Sequence, residues 1–297
     1  MRWPGRDAGL ATTRVDVSSS VSPAEGTRTF SCSPGRCPTA DSFGAEAITE
    51  AILRAPGPAI CVYLTAGYPT LDAFGSILDS VARSADVVEI GVPFTDPMAD
   101  GLTIQQASHV VLSNGVTLEW IFELLGGIDL AAPHLLMGYH NPFLAFGLDR
   151  LGRAMAESKT SGLIIPDLPF EENGPLREIL EPGGLALVQL VTPNTSSERL
   201  HHVTRVGGGF VYAVTTTGVT GGDVDLPAEA LQYLDRVRAA SPLPVLAGFG
   251  VRNQAQVAAL SPHVDGVVIG SALIEAIDRG EDPGAFLKGL RPAQVPA

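Results

Sequence analysis

The sequence is short of positive charge. Its 19 Lys and Arg stand against 32 Asp and Glu, a net charge of −13. That deficit argues against a nucleic-acid backbone or an anionic membrane surface as a partner, because both are bound through clustered Lys and Arg. A phosphate group can still be held, but only locally, by backbone amides. Cysteine is scarce as well. Cys32, Cys37 and Cys61 are too few, and odd in number, for a disulfide framework, which points to a reducing, cytoplasmic compartment. The six histidines fall into no zinc spacing and no further ligands follow Cys32 and Cys37, so no metal site is expected. No apolar run approaches the roughly 18 residues that span a bilayer.

What is present divides the chain in two. Residues 1–45 are rich in Ser, Thr, Pro, Gly and Arg with little apolar periodicity, and read as a disordered N-terminal extension. Five arginines against four acids give that segment +1, leaving −14 on the remainder. The acids Asp7, Asp16, Glu25 and Asp41 count against a transit peptide, and there is no apolar core of a secretion signal. Residues 46–297 form one domain, with an apolar fraction of 45 % over the whole chain that suits a large buried core.

Within that domain short apolar runs alternate with helical patterns. A leading helix over Ala47–Leu53 precedes a strand at Ala59–Thr65, and Thr70 or Asp72 caps the helix that follows. Further strands are expected at Val87–Ile90, Pro133–Gly138, Gly162–Ile165, Leu185–Val191, Gly209–Val214, Pro244–Ala247 and Asp265–Ile269. Helices are expected between them, among them Thr103–Ser113, Leu118–Leu125, Leu148–Glu157, Glu171–Leu180, Ala228–Ala239 and Gln254–Leu260. Asn141-Pro142 reads as a break after the third strand. Eight strand–helix units in about 250 residues favour a (β/α)8 TIM barrel, with a doubly wound sheet as the structural runner-up.

In a barrel the chemistry sits in the loops after the strands. The run Asp86–Gly101 begins as a strand and ends in a Pro/Asp/Gly-rich loop, and it carries a carboxylate, Glu89, in the middle of an apolar stretch. Burial disfavours the charged form, so Glu89 should titrate nearer neutrality and be able to give and take protons. The alternative is a structural acid bonded to neighbouring backbone. Asp100, eleven residues on, is either an ionised partner for a substrate N–H or the N-cap of the next helix. The turns Gly248-Phe249-Gly250 and Gly270-Ser271-Ala272 follow the last two strands, where barrels often bind a substrate phosphate. Tyr63, Phe94, Leu102, Tyr212 and Phe249 lie at strand ends or loops, positions from which they could wall a flat apolar pocket.

The run Glu89-Ile90-Gly91-Val92-Pro93-Phe94-Thr95-Asp96-Pro97-Met98-Ala99-Asp100-Gly101 closely resembles the signature of the tryptophan synthase alpha chain family. Four more stretches match in order: Leu64–Pro69, Ile165–Pro169, Phe210–Tyr212 with Gly218–Gly221, and the paired turns after the last two strands. The resemblance covers about residues 46–297. It implies a retro-aldol lyase that cleaves indole-3-glycerol phosphate to indole and glyceraldehyde 3-phosphate without cofactor. It implies Glu89 as general acid/base, Asp100 as partner of the indole N–H, and Tyr212 against the substrate, with Tyr63 expected to bind it too from its place at a strand end. Thr220 and Phe249 would lie near the indole, and Gly221, Gly250, Gly270 and Ser271 around the phosphate. It also implies a beta subunit in an α2β2 assembly, with Pro93 and Asp96 near the contact. A free-standing lyase and a non-catalytic binding paralogue are the competing readings; retention of Glu89 and Asp100 counts against the second. Leu102 departs from the family, which usually has Pro after Asp-Gly.

Overall fold

The computed structural model describes residues 43–214, 227–248 and 250–292. The apolar runs form eight strands, β1 (Ala59–Thr65), β2 (Val87–Gly91), β3 (His134–Met137), β4 (Gly162–Ile164), β5 (Ala186–Val191), β6 (Val211–Val214), β7 (Val245–Gly248) and β8 (Gly266–Ile269). Each pairs in parallel with the next, and β8 pairs with β1 through Ala59↔Gly266 to Val62↔Ile269, so the sheet closes. That closure establishes the (β/α)8 barrel and rules out the doubly wound sheet.

Among the described residues twelve α-helices accompany the strands. They are α1 (Ala45–Arg54), α2 (Leu71–Ala82), α3 (Leu102–Ser113), α4 (Leu118–Gly126), α5 (His140–Phe146), α6 (Leu148–Glu157), α7 (Gly174–Leu180), α8 (Ser197–Val206), α9 (Ala228–Ala240), α10 (Gln254–Leu260), α11 (Ser271–Asp278) and α12 (Pro283–Leu290). Thr70 caps α2 as expected, its side chain accepting from Ala73 N–H. One helix is a correction. Asn141-Pro142 does not break the chain but lies in the first turn of α5, where the missing proline N–H has no intrahelical partner to lose. The expected helix over Glu171–Leu180 is two pieces, a 3₁₀ turn at Phe170–Glu172 and then α7.

Strand residues alternate between two cores. Ile60, Val62, Leu64, Val88 and Ile90 face outward and pack with Phe74, Leu78 and Val81 of α2. Ala59, Cys61, Val87, Leu135, Val188, Leu246 and Val268 face inward and fill the barrel. Ile48 and Ile52 of α1 join this inner cluster, and the Thr49 hydroxyl donates to the Gly209 carbonyl at 2.6 Å, just before β6. Helix α1 thus covers the N-terminal ends of the strands, here called the floor. The C-terminal ends form the mouth.

Two acids brace the floor. Asp86 accepts the Ile60 N–H at 2.7 Å and Arg291 at 3.0 Å. Asp265 does the same beside β8, accepting Val245 N–H at 2.8 Å and Arg238 at 3.1 Å. Among the described residues no helix is long and apolar enough to cross a membrane. The expected extension over residues 1–45 falls almost wholly outside the described residues, as do Thr220, Gly221 and Phe249.

Candidate active site

Strand register fixes what gathers at the mouth. Tyr63 of β1 stands opposite Glu89 of β2, with Cys61 opposite Val87 one step below. Alternation along each strand turns Cys61, Tyr63, Glu89 and Gly91 to the barrel interior. Glu89 is completely buried. Its Oε1 accepts the Cys61 thiol at 3.2 Å, and its Oε2 has no hydrogen-bond partner among the described residues. Burial lifts Glu89 from an ordinary 4.5 to about 7, and the thiol contact offsets only part of that rise. The reading of Glu89 as an acid bonded to neighbouring backbone therefore does not hold, since among the described residues no backbone group donates to it. A carboxyl half-protonated at neutral pH with one free oxygen can both release and accept a proton.

Asp100 lies in the loop between β2 and α3. It is not the N-cap: Gly101 occupies that position and no side chain caps the helix. The loop is tied down around it instead. Gln105 Nε2 donates to the Asp100 carbonyl at 2.8 Å, and the Tyr139 hydroxyl accepts Ala99 N–H at 2.8 Å. The same hydroxyl bonds the Asp100 carboxyl, which opposes the upward push that partial burial gives its pKa. Phe94 stacks on Tyr139 with ring centroids 5.2 Å apart. Beyond these anchors the loop is open to solvent, Met98 being 84 % exposed and Leu102, at the start of α3, 76 %.

Two tyrosines wall the mouth in the same way. A Cβ at Gly91 would fall 2.1 Å from the Tyr63 hydroxyl, and a Cβ at Gly248 would fall 2.4 Å from Cε1 of Tyr212. Each tyrosine leans over a glycine of the neighbouring strand, Gly91 opposite Thr65 and Gly248 opposite Val214. The missing side chains are what let both rings lie flat at this level. Burial pushes both phenols up, so both stay protonated.

The turns after β7 and β8 complete the rim. Gly250 has φ +64°, a left-handed conformation that favours glycine. Gly270 is the N-cap of α11, and Ser271 is its first residue, so the opening N–H groups of that helix have no intrahelical acceptor. Among the described residues no cluster of His, Cys, Asp and Glu is placed to hold a metal. Two participants escape sequence reasoning. Cys61 is legible only once strand parity places it beneath Glu89, and Tyr139 only once the loop after β3 is seen to face Asp100.

The family model described as tryptophan synthase alpha chain matches residues 51–288. A tryptophan synthase alpha chain of Solidesulfovibrio magneticus is 44 % identical over 242 residues, 80 % of this chain and 94 % of the relative. One from Nitratidesulfovibrio vulgaris is 42 % identical over 234 residues, 78 % of this chain and 91 % of the relative. Among solved structures, a chain of the Pyrococcus furiosus tryptophan synthase α2β2 complex superposes with a TM-score of 0.74 at 31 % identity, covering 79 % of this chain and 98 % of its own. A chain of the Mycobacterium tuberculosis tryptophan synthase gives 0.74 at 31 % identity, covering 84 % and 98 %. With the match spanning the barrel and both mouth carboxylates, the chain belongs to the tryptophan synthase alpha chain family.

Proposed function

We propose that this chain, with residues 46–297 as its catalytic domain, is a carbon–carbon lyase that cleaves indole-3-glycerol phosphate to indole and glyceraldehyde 3-phosphate. The observation that carries the reading is Glu89: fully buried, titrating near 7, with one oxygen unpartnered among the described residues. Glu89 delivers its proton to C3 of the indole ring, giving a cationic indolenine. The resulting carboxylate takes the proton of the glycerol hydroxyl on the carbon attached to C3. The C–C bond then breaks, its electron pair restores the aromatic indole, and the hydroxyl carbon becomes the aldehyde. Glu89 ends the cycle protonated as it began. Asp100 accepts the indole N–H and stabilises the positive charge that develops on the ring nitrogen.

Tyr63 and Tyr212 would sandwich the planar ring, and Phe249 and Thr220 would complete the pocket. The phosphate would lie on the N–H groups of Gly250, Gly270 and Ser271, with Gly221 closing over it, a backbone cradle that suits a chain carrying few cations. The loop after β2 would fold over the bound substrate and exclude water. A pyridoxal-phosphate beta subunit would receive the indole in an α2β2 assembly, with Pro93 and Asp96 near the contact.

The test is release of indole from indole-3-glycerol phosphate by the purified chain, run with and without purified beta subunit. Indole should form in both and faster with the partner, alongside a sedimenting complex. No indole under either condition would overturn the reaction. Turnover unchanged by beta subunit, with no complex, would leave a free-standing lyase.

A further inference from the structure

We infer that Cys61 is a positioning residue for the proton-transfer step: its thiol, one layer below Glu89 in the barrel, ties down Oε1 and reserves Oε2 for the substrate. The inference rests on the reading of Glu89 as acid and base.

The geometry is specific. Cys61 and Glu89 sit on adjacent strands, one inward step apart, and both are fully buried. The thiol donates across 3.2 Å, the one protein hydrogen bond to either Glu89 oxygen among the described residues. The other inward side chains at this depth are aliphatic: Val87, Leu135, Val188, Leu246 and Val268. Cysteine is the residue that matches them in size and polarity while still offering a donor. A strong donor would hold the carboxylate ionised, and an aliphatic side chain would let it rotate. A weak S–H donor orients the group and leaves its proton exchangeable.

The surrounding charges do not duplicate this role. Tyr63 from β1 and Tyr212 from β6 are the titratable groups that feel the Glu89 charge, and Asp100, from the loop after β2, acts on these two phenols and not on Glu89 or Cys61. Asp86, at the floor, is the other charge acting on Cys61. Both phenols stay protonated, and no Lys, Arg or His among the described residues acts on Glu89. Burial, followed by the nearby carboxylate, pushes the Cys61 thiol up, so it remains an S–H donor across the working range.

The test compares the full chain with its Cys61→Val and Cys61→Ser variants. The first removes the donor at similar volume; the second keeps one. The carboxyl titration of Glu89 is followed by carbon-13 NMR on glutamate-labelled protein, with Glu89→Gln assigning the signal. Steady-state rates are then taken across pH. The Cys61→Val titration should move up by about 0.5–1 pH unit, because the one contact favouring the ionised form is lost. Its kcat near pH 7 should fall about 3- to 10-fold, with KM changed by less than about 2-fold. The Cys61→Ser titration should return to the wild-type position or below it. A Cys61→Val variant that titrates and turns over like the wild type sinks the inference. So does one that only melts earlier with its titration unmoved, which would mark Cys61 as packing alone. The NMR arm needs no turnover: a moved titration in a chain that makes no indole would overturn the proposed reaction and leave the Cys61–Glu89 coupling standing.

Discussion

Asp86, just before β2, and Glu89, in the middle of it, are three residues apart, and the barrel treats them in opposite ways. Asp86, at the floor, has a backbone N–H and Arg291. Asp265 repeats that arrangement across the closing seam, with Val245 N–H and Arg238. Glu89, at the mouth, has a thiol on one oxygen and, among the described residues, nothing on the other. An acid that only braces strands is best matched with a cation, which lowers the cost of burying its charge. An acid that must exchange a proton is left underpaired, and the protein carries that cost in stability.

The largest effect expected from breaking this contrast is on rate. Glu89→Gln should lower kcat for indole release by roughly a hundred- to ten-thousand-fold, the range for loss of a general acid/base. Asp86→Asn, at the floor, should leave the rate of the folded protein within about 3-fold. Comparable losses from both would erase the distinction.

The second effect is on stability, with a defined pH window. Glu89 binds its proton up to about pH 7 in the folded state but only to about 4.5 when unfolded. Stability is therefore unaffected by Glu89 below about pH 4.5 and falls as pH rises towards 7. Glu89→Gln removes that loss, so it should be about 3 kcal/mol more stable than wild type at pH 8 and equal to it at pH 4, by urea denaturation. His134, at the start of β3, has the opposite slope. Burial lowers it from an ordinary 6.5 to about 4, so its contribution is full above 6.5 and lost as pH falls to 4. The two slopes largely cancel in the wild type, and Glu89→Gln should uncover the histidine's. A difference between variant and wild type that does not change with pH would contradict the assignment.

At the floor itself, Asp265→Ala strips the acceptor from Val245 N–H and leaves Arg238 unpaired. It should cost about 1–3 kcal/mol in denaturation while kcat per folded molecule holds. The smallest effect concerns Leu102, the first residue of α3. Proline is well suited to that position, and the preceding Gly101, at φ −71° and ψ 162°, already has the extended conformation a proline demands. Leu102→Pro should add about 0.5 kcal/mol and raise Tm by a degree or two. A lower Tm would show that the exposed leucine has a role in the fold.

Much of this was legible beforehand, and the limits follow from physics. The apolar run Ala59–Thr65 is a strand to the residue, and Leu148–Glu157 and Gln254–Leu260 are helices to the residue, because period and terminal residues agree there. Glu89 stood out because a lone carboxylate in a buried run has few benign explanations. Helix α5 was missed because Pro142 signals a break unless the helix is known to start at His140. The Cys61 contact was hidden for another reason. It joins residues 28 apart in sequence, and only inter-strand register brings them to the same face. The arginines of the floor are hidden likewise, Arg291 lying 205 residues from Asp86.

The two tyrosine–glycine pairs carry a consequence for genetics. Because Tyr63 fills the space a side chain at Gly91 would need, and Tyr212 that at Gly248, neither glycine can be judged alone. Each pair behaves as a single locus: an alanine at the glycine must displace its tyrosine, and a smaller residue at that tyrosine would relieve the clash only by taking away a wall of the mouth. The width of the slot between the walls is thus inherited as two linked two-letter words.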